Sequence, residues 1–302
     1  MIRTEELGRI VFGCGNIGGL GSSPNLRDKG DSQEQGLTLL DHARNLGLTR
    51  FDTANTYGGG ISETVLGAWL RVQDAAFRSR IQVATKVGNP NGCPPGDRPL
   101  SRAQIAYHLD VSLRRLGLER IDLYYLHEFD PLTPLDETLE ALDRARAQGK
   151  IAAFGISNAT LDDLKNVLAL TGEGPLRRAF THVQNQFNLL EQGDLPELIP
   201  LAHTQGIAYV AFSPLAGGLL SGKYRQDKPP NPGDRISVAP DIYRHLLTPK
   251  TFDAIEKLRL RAAAQGWTVP GAALRFVLDT PGVNSLIIAP RSMEQFAAYD
   301  IG

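Results

Sequence analysis

The sequence predicts a (β/α)8 barrel, and three observations predict it. Eight short apolar runs alternate with amphipathic helical stretches along the chain, the pattern of parallel strands joined by crossover helices. The runs show no in/out alternation, so both faces of the sheet are expected to be covered. At 302 residues, eight βα units with insertions suit a closed barrel of roughly 250 residues better than an open doubly wound sheet. No composition break or linker divides the chain, so residues 1–302 are expected to form one domain.

The first strand is Ile10 to Gly13, which dissolves into glycines. Gly13, Gly15 and Gly18 are spaced as G-x-G-x-x-G, but the dinucleotide fingerprint needs its last glycine to open a helix. Gly19 to Lys29 reads instead as loop, so a glycine-lined strand end is expected. Helical periodicity runs from Gln35 to Leu46, with Leu39, Leu40, Ala43 and Leu46 on one face and a polar opening at Asp31 or Ser32. Strand Arg50 to Ala54 leads to helix Ser62 to Val72, where Ser62 is a candidate cap and Val65, Leu66, Trp69 and Leu70 form the apolar stripe.

The alternation continues with strand Ile81 to Val87, helix Ser101 to Leu116, strand Ile121 to Leu126 and helix Leu135 to Gln148. Then come strand Ala152 to Ile156, helix Leu161 to Leu170, strand Thr181 to Phe187, helix Leu195 to Gln205 and strand Ala208 to Ser213. Helices Pro249 to Gln265 and Val269 to Asp279 precede the last strand, Ser285 to Ala289. The Gly- and Pro-rich stretch Leu215 to Thr248, a long loop after the seventh strand, far exceeds the roughly 2 to 6 residues usual for such a connection. A loop of that length is expected to be functional.

Composition narrows the function classes. Hydrophobic content of 42% and charged content of 22% are those of an ordinary folded chain. A net charge of -1 leaves no basic excess for nucleic acid or an anionic membrane, so neither partner is expected. No segment approaches the roughly 18 apolar residues of a membrane span, and no apolar run follows the charged start Met1 to Glu6, so a cytoplasmic protein is expected. Cys14 and Cys93 are too few and too far apart for a disulfide scaffold or a thiolate metal site.

In such a barrel the chemistry sits at the C-terminal ends of the strands. Asp52 ends one strand in RFDTANTY, Lys86 ends the next in VATKVG, and His127 ends the one after in YYLHE; Tyr57 follows Asp52 in its loop. A free phenol, with a pKa of about 10, is a poor acid at neutral pH. A lysine ammonium within a few ångströms favours the phenolate and is expected to lower that value, with Asp52 holding Lys86 charged. A neutral His127 could hydrogen-bond the oxygen that gains negative charge as a carbonyl is reduced. One His, one Asp and a Lys do not make the ligand set of a catalytic zinc, so no metal is expected.

These residues, in the contexts DTANTYG, ATKVG and YYLHE, resemble the catalytic tetrad of the aldo-keto reductases, a family of (β/α)8 barrels that reduce carbonyls with a nicotinamide cofactor. The resemblance runs from Val11 to Gln295. It implies that Tyr57 is the proton donor, Lys86 and Asp52 its tuning pair, and His127 the carbonyl-orienting group.

The cofactor contacts are implied one by one. Ser157 and Asn158 in GISN would hydrogen-bond the nicotinamide carboxamide, assisted by Gln184 in VQNQFN. Phe212 in AFSPL stands where an aromatic stacks on the nicotinamide; the family usually has Tyr or Trp, and Phe keeps the stacking face without a polar handle. Ser213, Leu215, Gly217 and Lys223 resemble the pyrophosphate-binding belt. Arg291 and Gln295 in LIIAPRSMEQ resemble the segment that grips the 2′-phosphate and adenine, although Ala289 replaces a usual Gly or Lys and Tyr299 a usual Asn. Since Arg291 could pair with a 2′-phosphate, NADP(H) is favoured, with NAD(H) possible. The substrate implied is a small carbonyl or alcohol. Oxidation of a sugar or alcohol would use the same residues, and a cofactor-sensing binding subunit, like the potassium-channel β subunits of this family, is the reading from another class.

Overall fold

The computed structural model describes residues 2–94, 96–228 and 230–301, the side chain of Asp28 apart. Its eight strands are β1 (Ile10–Gly13), β2 (Arg50–Asp52), β3 (Gln82–Val87), β4 (Ile121–Leu126), β5 (Ile151–Ser157), β6 (Phe180–Gln186), β7 (Ala208–Phe212) and β8 (Val283–Ile288). They pair in parallel in chain order and β8 returns to β1, closing the (β/α)8 barrel. The principal helices between them are α1 (Gln33–Asn45), α2 (Ile61–Arg71), α3 (Arg102–Leu116), α4 (Leu135–Ala147), α5 (Leu161–Thr171), α6 (Leu198–Thr204), α7 (Pro249–Gln265) and α8 (Val269–Asp279). Local chemistry starts several of them: Ser32 and Gln35 form a capping box on α1, and Ser101 and Thr160 cap α3 and α5.

Alternation along each strand sends one set of side chains outward to the helices and the other to the barrel axis. The outward set makes the main core: Phe12, Phe51, Tyr124, Phe154, Val183 and Tyr209 are all buried among helix side chains, Trp69 of α2 among them. Trp69 packs its ring 5.0 Å from Phe51 and donates Nε1 to Asp41 at 2.7 Å, so its polar edge is satisfied while its apolar area is buried. Truncating a core aromatic of this kind costs about 3–5 kcal/mol. The inward set is sparser: Val11, Val210 and Ile287 meet with Phe212 on one side, and Ala84, Leu123 and Tyr125 with Ala153 on the other.

The long loop after β7 has an apolar core of its own. Leu219, Leu220, Tyr224, Ile236, Tyr243 and Leu246 pack with Ile255 and Leu258 of α7 and Ala272 of α8. The loop is therefore anchored rather than hanging free. Among the described residues no helix is long and apolar enough to cross a membrane.

Three expectations are corrected. Ser62 does not cap α2: Gly60, at φ 98°, takes the cap position, and Ser62 is buried in the first turn, hydrogen-bonded to the carbonyl of Cys14 and the hydroxyl of Thr53. β2 stops at Asp52 rather than Ala54, although the amides of Thr53 and Asn55 still reach the Ala84 and Lys86 carbonyls of β3. Gly18 opens no α-helix, as expected, but the stretch read as loop is not wholly irregular: Pro24–Lys29 form a 3-10 helix before α1 begins at Gln33.

Candidate active site at the C-terminal ends of the strands

β2 is only three residues long, yet it is held between β1 and β3, with Asp52 paired to Gly13 and to Ala84. Phe51 faces the helices, so Asp52 faces the barrel. The chain then turns through Thr53–Thr56 and delivers Tyr57 back over the rim. Gly58, Gly59 and Gly60 follow at φ 57°, 69° and 98°, a left-handed run that residues with a side chain rarely adopt. A Cβ at Gly58 would also lie 2.8 Å from the backbone of Ile17 and Gly18.

Lys86, on the inward face of β3, is fully buried. Its ammonium makes an ion pair with Asp52 Oδ1 and donates to the Thr53 carbonyl at 2.9 Å and to the Tyr57 hydroxyl at 3.1 Å, so its three hydrogens are committed. The second oxygen of Asp52 accepts from Gln184 Nε2 at 2.9 Å. His127, one residue past β4, meets the Tyr57 ring edge-on at 5.5 Å and 83°. Its Nδ1 is buried without a partner. The structure thus brings Asp52, Tyr57, Lys86, His127 and Gln184 into one cluster.

Their electrostatics follow from burial and one charge pair. For Lys86, burial alone would favour the neutral amine, but the Asp52 carboxylate and the Tyr57 hydroxyl outweigh it and hold the ammonium above its ordinary value. Burial and the Lys86 charge drive His127 well below the imidazole range, so it is neutral. For Tyr57 the sequence expectation is overturned: burial raises the phenol more than Lys86 lowers it, and it stands above its ordinary value. The ammonium stabilises a phenolate once formed, but the resting group is the protonated phenol.

A further layer fixes this loop and carries no sequence signal of its own. Glu63, wholly buried at the start of α2, accepts from Thr85 on β3 at 2.7 Å and pairs with Arg115 of α3 at 3.0 Å. Arg115 in turn donates to the Asn55 carbonyl at 3.1 Å, inside the turn that presents Tyr57.

The candidate cofactor residues lie around the same rim. Ser157 ends β5; Asn158 follows at φ 53° and donates Nδ2 to the His127 carbonyl at 2.9 Å. Phe212 ends β7, followed by Ser213 at φ 54° and Ala216 at φ 47°. Non-glycine residues in this region are strained, and such strain gathers at ligand clamps. Leu215 packs against the loop core, and a Cβ on Gly217 would lie 2.4 Å from the Tyr243 ring.

Both candidate phosphate-binding cations have carboxylate partners here. Lys223 pairs with Asp234 at 2.6 Å, and Arg291 Nε pairs with Asp31 at 2.8 Å while Nη2 donates to the Lys29 carbonyl at 3.0 Å. Gln295 Oε1 accepts from the Arg291 amide at 2.9 Å. In the belt loop, Ser221 Oγ, Tyr224 OH and Arg235 Nη1 are buried without hydrogen-bond partners among the described residues, a donor set that fits an anionic group and that sequence reading did not single out. At the far end Ala289 offers its carbonyl to Asn16 Nδ2 at 3.0 Å, and Tyr299 is buried.

Comparison with known proteins bears on this geometry. The model of the Aldo/keto reductase family matches residues 9–299. The chain is 36% identical over 269 residues to a Bacillus subtilis protein named uncharacterized oxidoreductase YrpG, covering 85% of this chain and 78% of that one. It is 32% identical over 265 residues to the L-glyceraldehyde 3-phosphate reductase of Escherichia coli K12, covering 85% and 75%. A putative voltage-gated potassium channel subunit beta of Schizosaccharomyces pombe is 30% identical over 274 residues, covering 89% and 78%.

Proposed function

Because the chain belongs to the aldo/keto reductase family, we propose that it reduces an aldehyde or ketone to an alcohol with NAD(P)H, Tyr57 giving the proton. The observation that carries this reading is the hydrogen-bonded chain from Asp52 through Lys86 to the Tyr57 hydroxyl, facing a neutral His127. The nicotinamide, when bound, supplies a hydride to the carbonyl carbon. Tyr57 passes its hydroxyl proton to the carbonyl oxygen, and the phenolate left behind is held by the Lys86 ammonium. His127 donates an imidazole N–H to the same oxygen and so orients the carbonyl and stabilises its developing charge. Ser157, Asn158 and Gln184 would hold the carboxamide, Phe212 the ring face, Ser213, Leu215, Gly217 and Lys223 the pyrophosphate, and Arg291 and Gln295 the adenosine end.

NADP(H) is the favoured cofactor, through the half-exposed guanidinium of Arg291. NAD(H) is the alternative, and the Asp31 partner of Arg291 is the feature that speaks for it. The relative named for L-glyceraldehyde 3-phosphate puts short phosphorylated aldehydes first among the substrates to try. The family match over residues 9–299 supports one barrel domain, and two free cysteines suit the cytoplasm.

The test is a titration with NADPH and with NADH, following cofactor fluorescence, and then a carbonyl panel. Binding of either cofactor and its oxidation by an aldehyde support the proposal. The potassium-channel-named relative favours one other reading, a cofactor-sensing subunit; tight cofactor binding with no turnover on a broad panel would support it.

A further inference from the structure

The barrel is incompletely filled beneath Asp52. Small inward residues, Ala84 and Ala153, line a half-open cavity of about 250 Å³ there. Its lining runs from Arg50 and Gln82, the first residues of β2 and β3, up to Asp52 and Gln184, so it lies at the opposite end of the barrel from Tyr57. That volume is about eight waters at ~30 Å³ each, enough for a small solute.

The polar groups on this wall are unusual for a face that in such barrels serves stability. Arg50 donates Nη1 to the Gly8 carbonyl at 3.1 Å and to Ser285 Oγ at 3.4 Å. Among the described residues no carboxylate lies within 4.0 Å of it, although burial weakens its hold on its charge. Arg50 is half-buried rather than sealed from solvent, so its guanidinium is within reach of a solute that enters the cavity. Beside it, His182 shares a 2.7 Å hydrogen bond between Nδ1 and Thr181 Oγ1, and its Nε2 has no partner among the described residues. Burial and then the Arg50 charge push this imidazole down to about 4, so it is neutral. The Tyr125 ring stands edge-on to it at 6.4 Å, with its hydroxyl beside the Gln184 side chain. The other carboxylates on the wall are engaged: Asp122 accepts from the Val83 amide at 2.9 Å, and Asp52 is held by Lys86 and Gln184. Leu123 and Val210 supply apolar wall. A mostly apolar cavity with a few convergent polar groups has the character of a ligand site.

We propose that this cavity binds a small oxyanion, a carboxylate or phosphate group, with Arg50 as its counter-charge and His182 and Tyr125 as hydrogen-bond partners. This site shares Asp52 and Gln184 of its lining with the carbonyl-reducing one but lies below them, and its anion binding does not depend on that function.

The test is the melting temperature of the full chain in sodium acetate and in inorganic phosphate, against sodium chloride of equal ionic strength. Three variants accompany the wild type: Arg50→Gln; Ala153→Leu, which fills the cavity from the opposite wall; and Lys223→Ala with Arg291→Ala, which removes the cations proposed for the cofactor. A saturating anion is expected to raise the wild-type Tm by about 3 °C or more over chloride. The rise should vanish in Arg50→Gln and Ala153→Leu and persist in the double variant. A response to acetate alone identifies a carboxylate ligand, to phosphate alone a phosphate ester, and to both a general oxyanion site. No rise over chloride, a rise that survives Ala153→Leu, or one lost in the double variant would overturn the proposal. Should Arg50→Gln fail to fold, Ala153→Leu decides.

Discussion

Gln184 on β6 reaches across the barrel and donates to Asp52 Oδ2 at 2.9 Å, so both oxygens of that carboxylate are taken, one by Gln184 and the other by Lys86. Asp52 is thereby fixed on a short strand that could not orient it alone. Asp52→Asn leaves Lys86 buried without its counter-charge, and such an amine tends to shed its proton. The expected outcome is a fall in kcat/KM of about 10²-fold or more, the scale of a lost acid–base contribution. Steady-state kinetics beside circular dichroism of the folded variant check it; wild-type kcat/KM would contradict it.

The pH profile of carbonyl reduction follows from the two facing rings. kcat/KM reports the free enzyme, in which Tyr57 is held above its ordinary value and His127 well below. A general acid works while protonated, so the rate should be flat through neutrality and fall only in alkali, above about pH 10. The Lys86 charge adds to burial in keeping His127 neutral through that range, and Tyr57, the ring it faces, is itself uncharged there. An acid limb near pH 6.5 that disappears in His127→Gln would contradict this assignment.

Cofactor choice turns on Arg291. If its guanidinium exchanges Asp31 for a 2′-phosphate, Arg291→Ala should weaken NADPH binding about tenfold or more, the scale of a charge-assisted pair, and leave NADH binding nearly unchanged. Fluorescence titration of both cofactors measures this difference. Equal weakening of the two would assign Arg291 to the loop held by Asp31 and Lys29 rather than to the phosphate.

Stability has its own test at the N-terminus. Glu6, which is buried, receives Nη1 and Nη2 of Arg275 on α8, each at 2.8 Å. That hydrogen bonding holds its carboxyl well below the usual range despite the opposing effect of burial. Because the folded value is depressed, the stabilisation is fully present above about pH 4.5 and is lost as acid carries pH down through the lowered native value. Glu6→Ala should cost about 3 kcal/mol at neutral pH, tempered by the second partner of Arg275, Asp279 at 2.7 Å. Urea unfolding at pH 7 and pH 4 reads both effects, and equal stability of the variant and the wild type at pH 7 would contradict the account.

The parts of this protein that were legible in sequence are those set by local period and by position at a strand end. The eight apolar runs gave the strands to within a few residues, and Asp52, Lys86 and His127 stood out because each closes one. The layer behind them was not legible, since its partners are remote: Arg291 and Asp31 are separated by 260 positions, and Arg115 and Glu63 by 52. Neither a lone Glu nor a lone Arg announces such a pairing. The rise of the Tyr57 phenol was missed for a related reason. Charge proximity can be inferred from adjacent strands, but how deeply the ring is buried depends on Gly15 packing against it and on the turn through Gly58. Short pieces such as the helix Met293–Ala298 escaped because they span too few residues to show a period.

The most direct measurement is the Tyr57→Phe variant, assayed for carbonyl reduction and for cofactor binding in the same preparation. The substitution removes the hydroxyl that receives Lys86 Nζ at 3.1 Å and leaves the ring that His127 meets. The account predicts that turnover falls by about 10²- to 10⁴-fold, the scale of general acid catalysis, with the dissociation constant for cofactor nearly unchanged. Turnover within a few-fold of wild type would contradict it, because another group would then be supplying the proton.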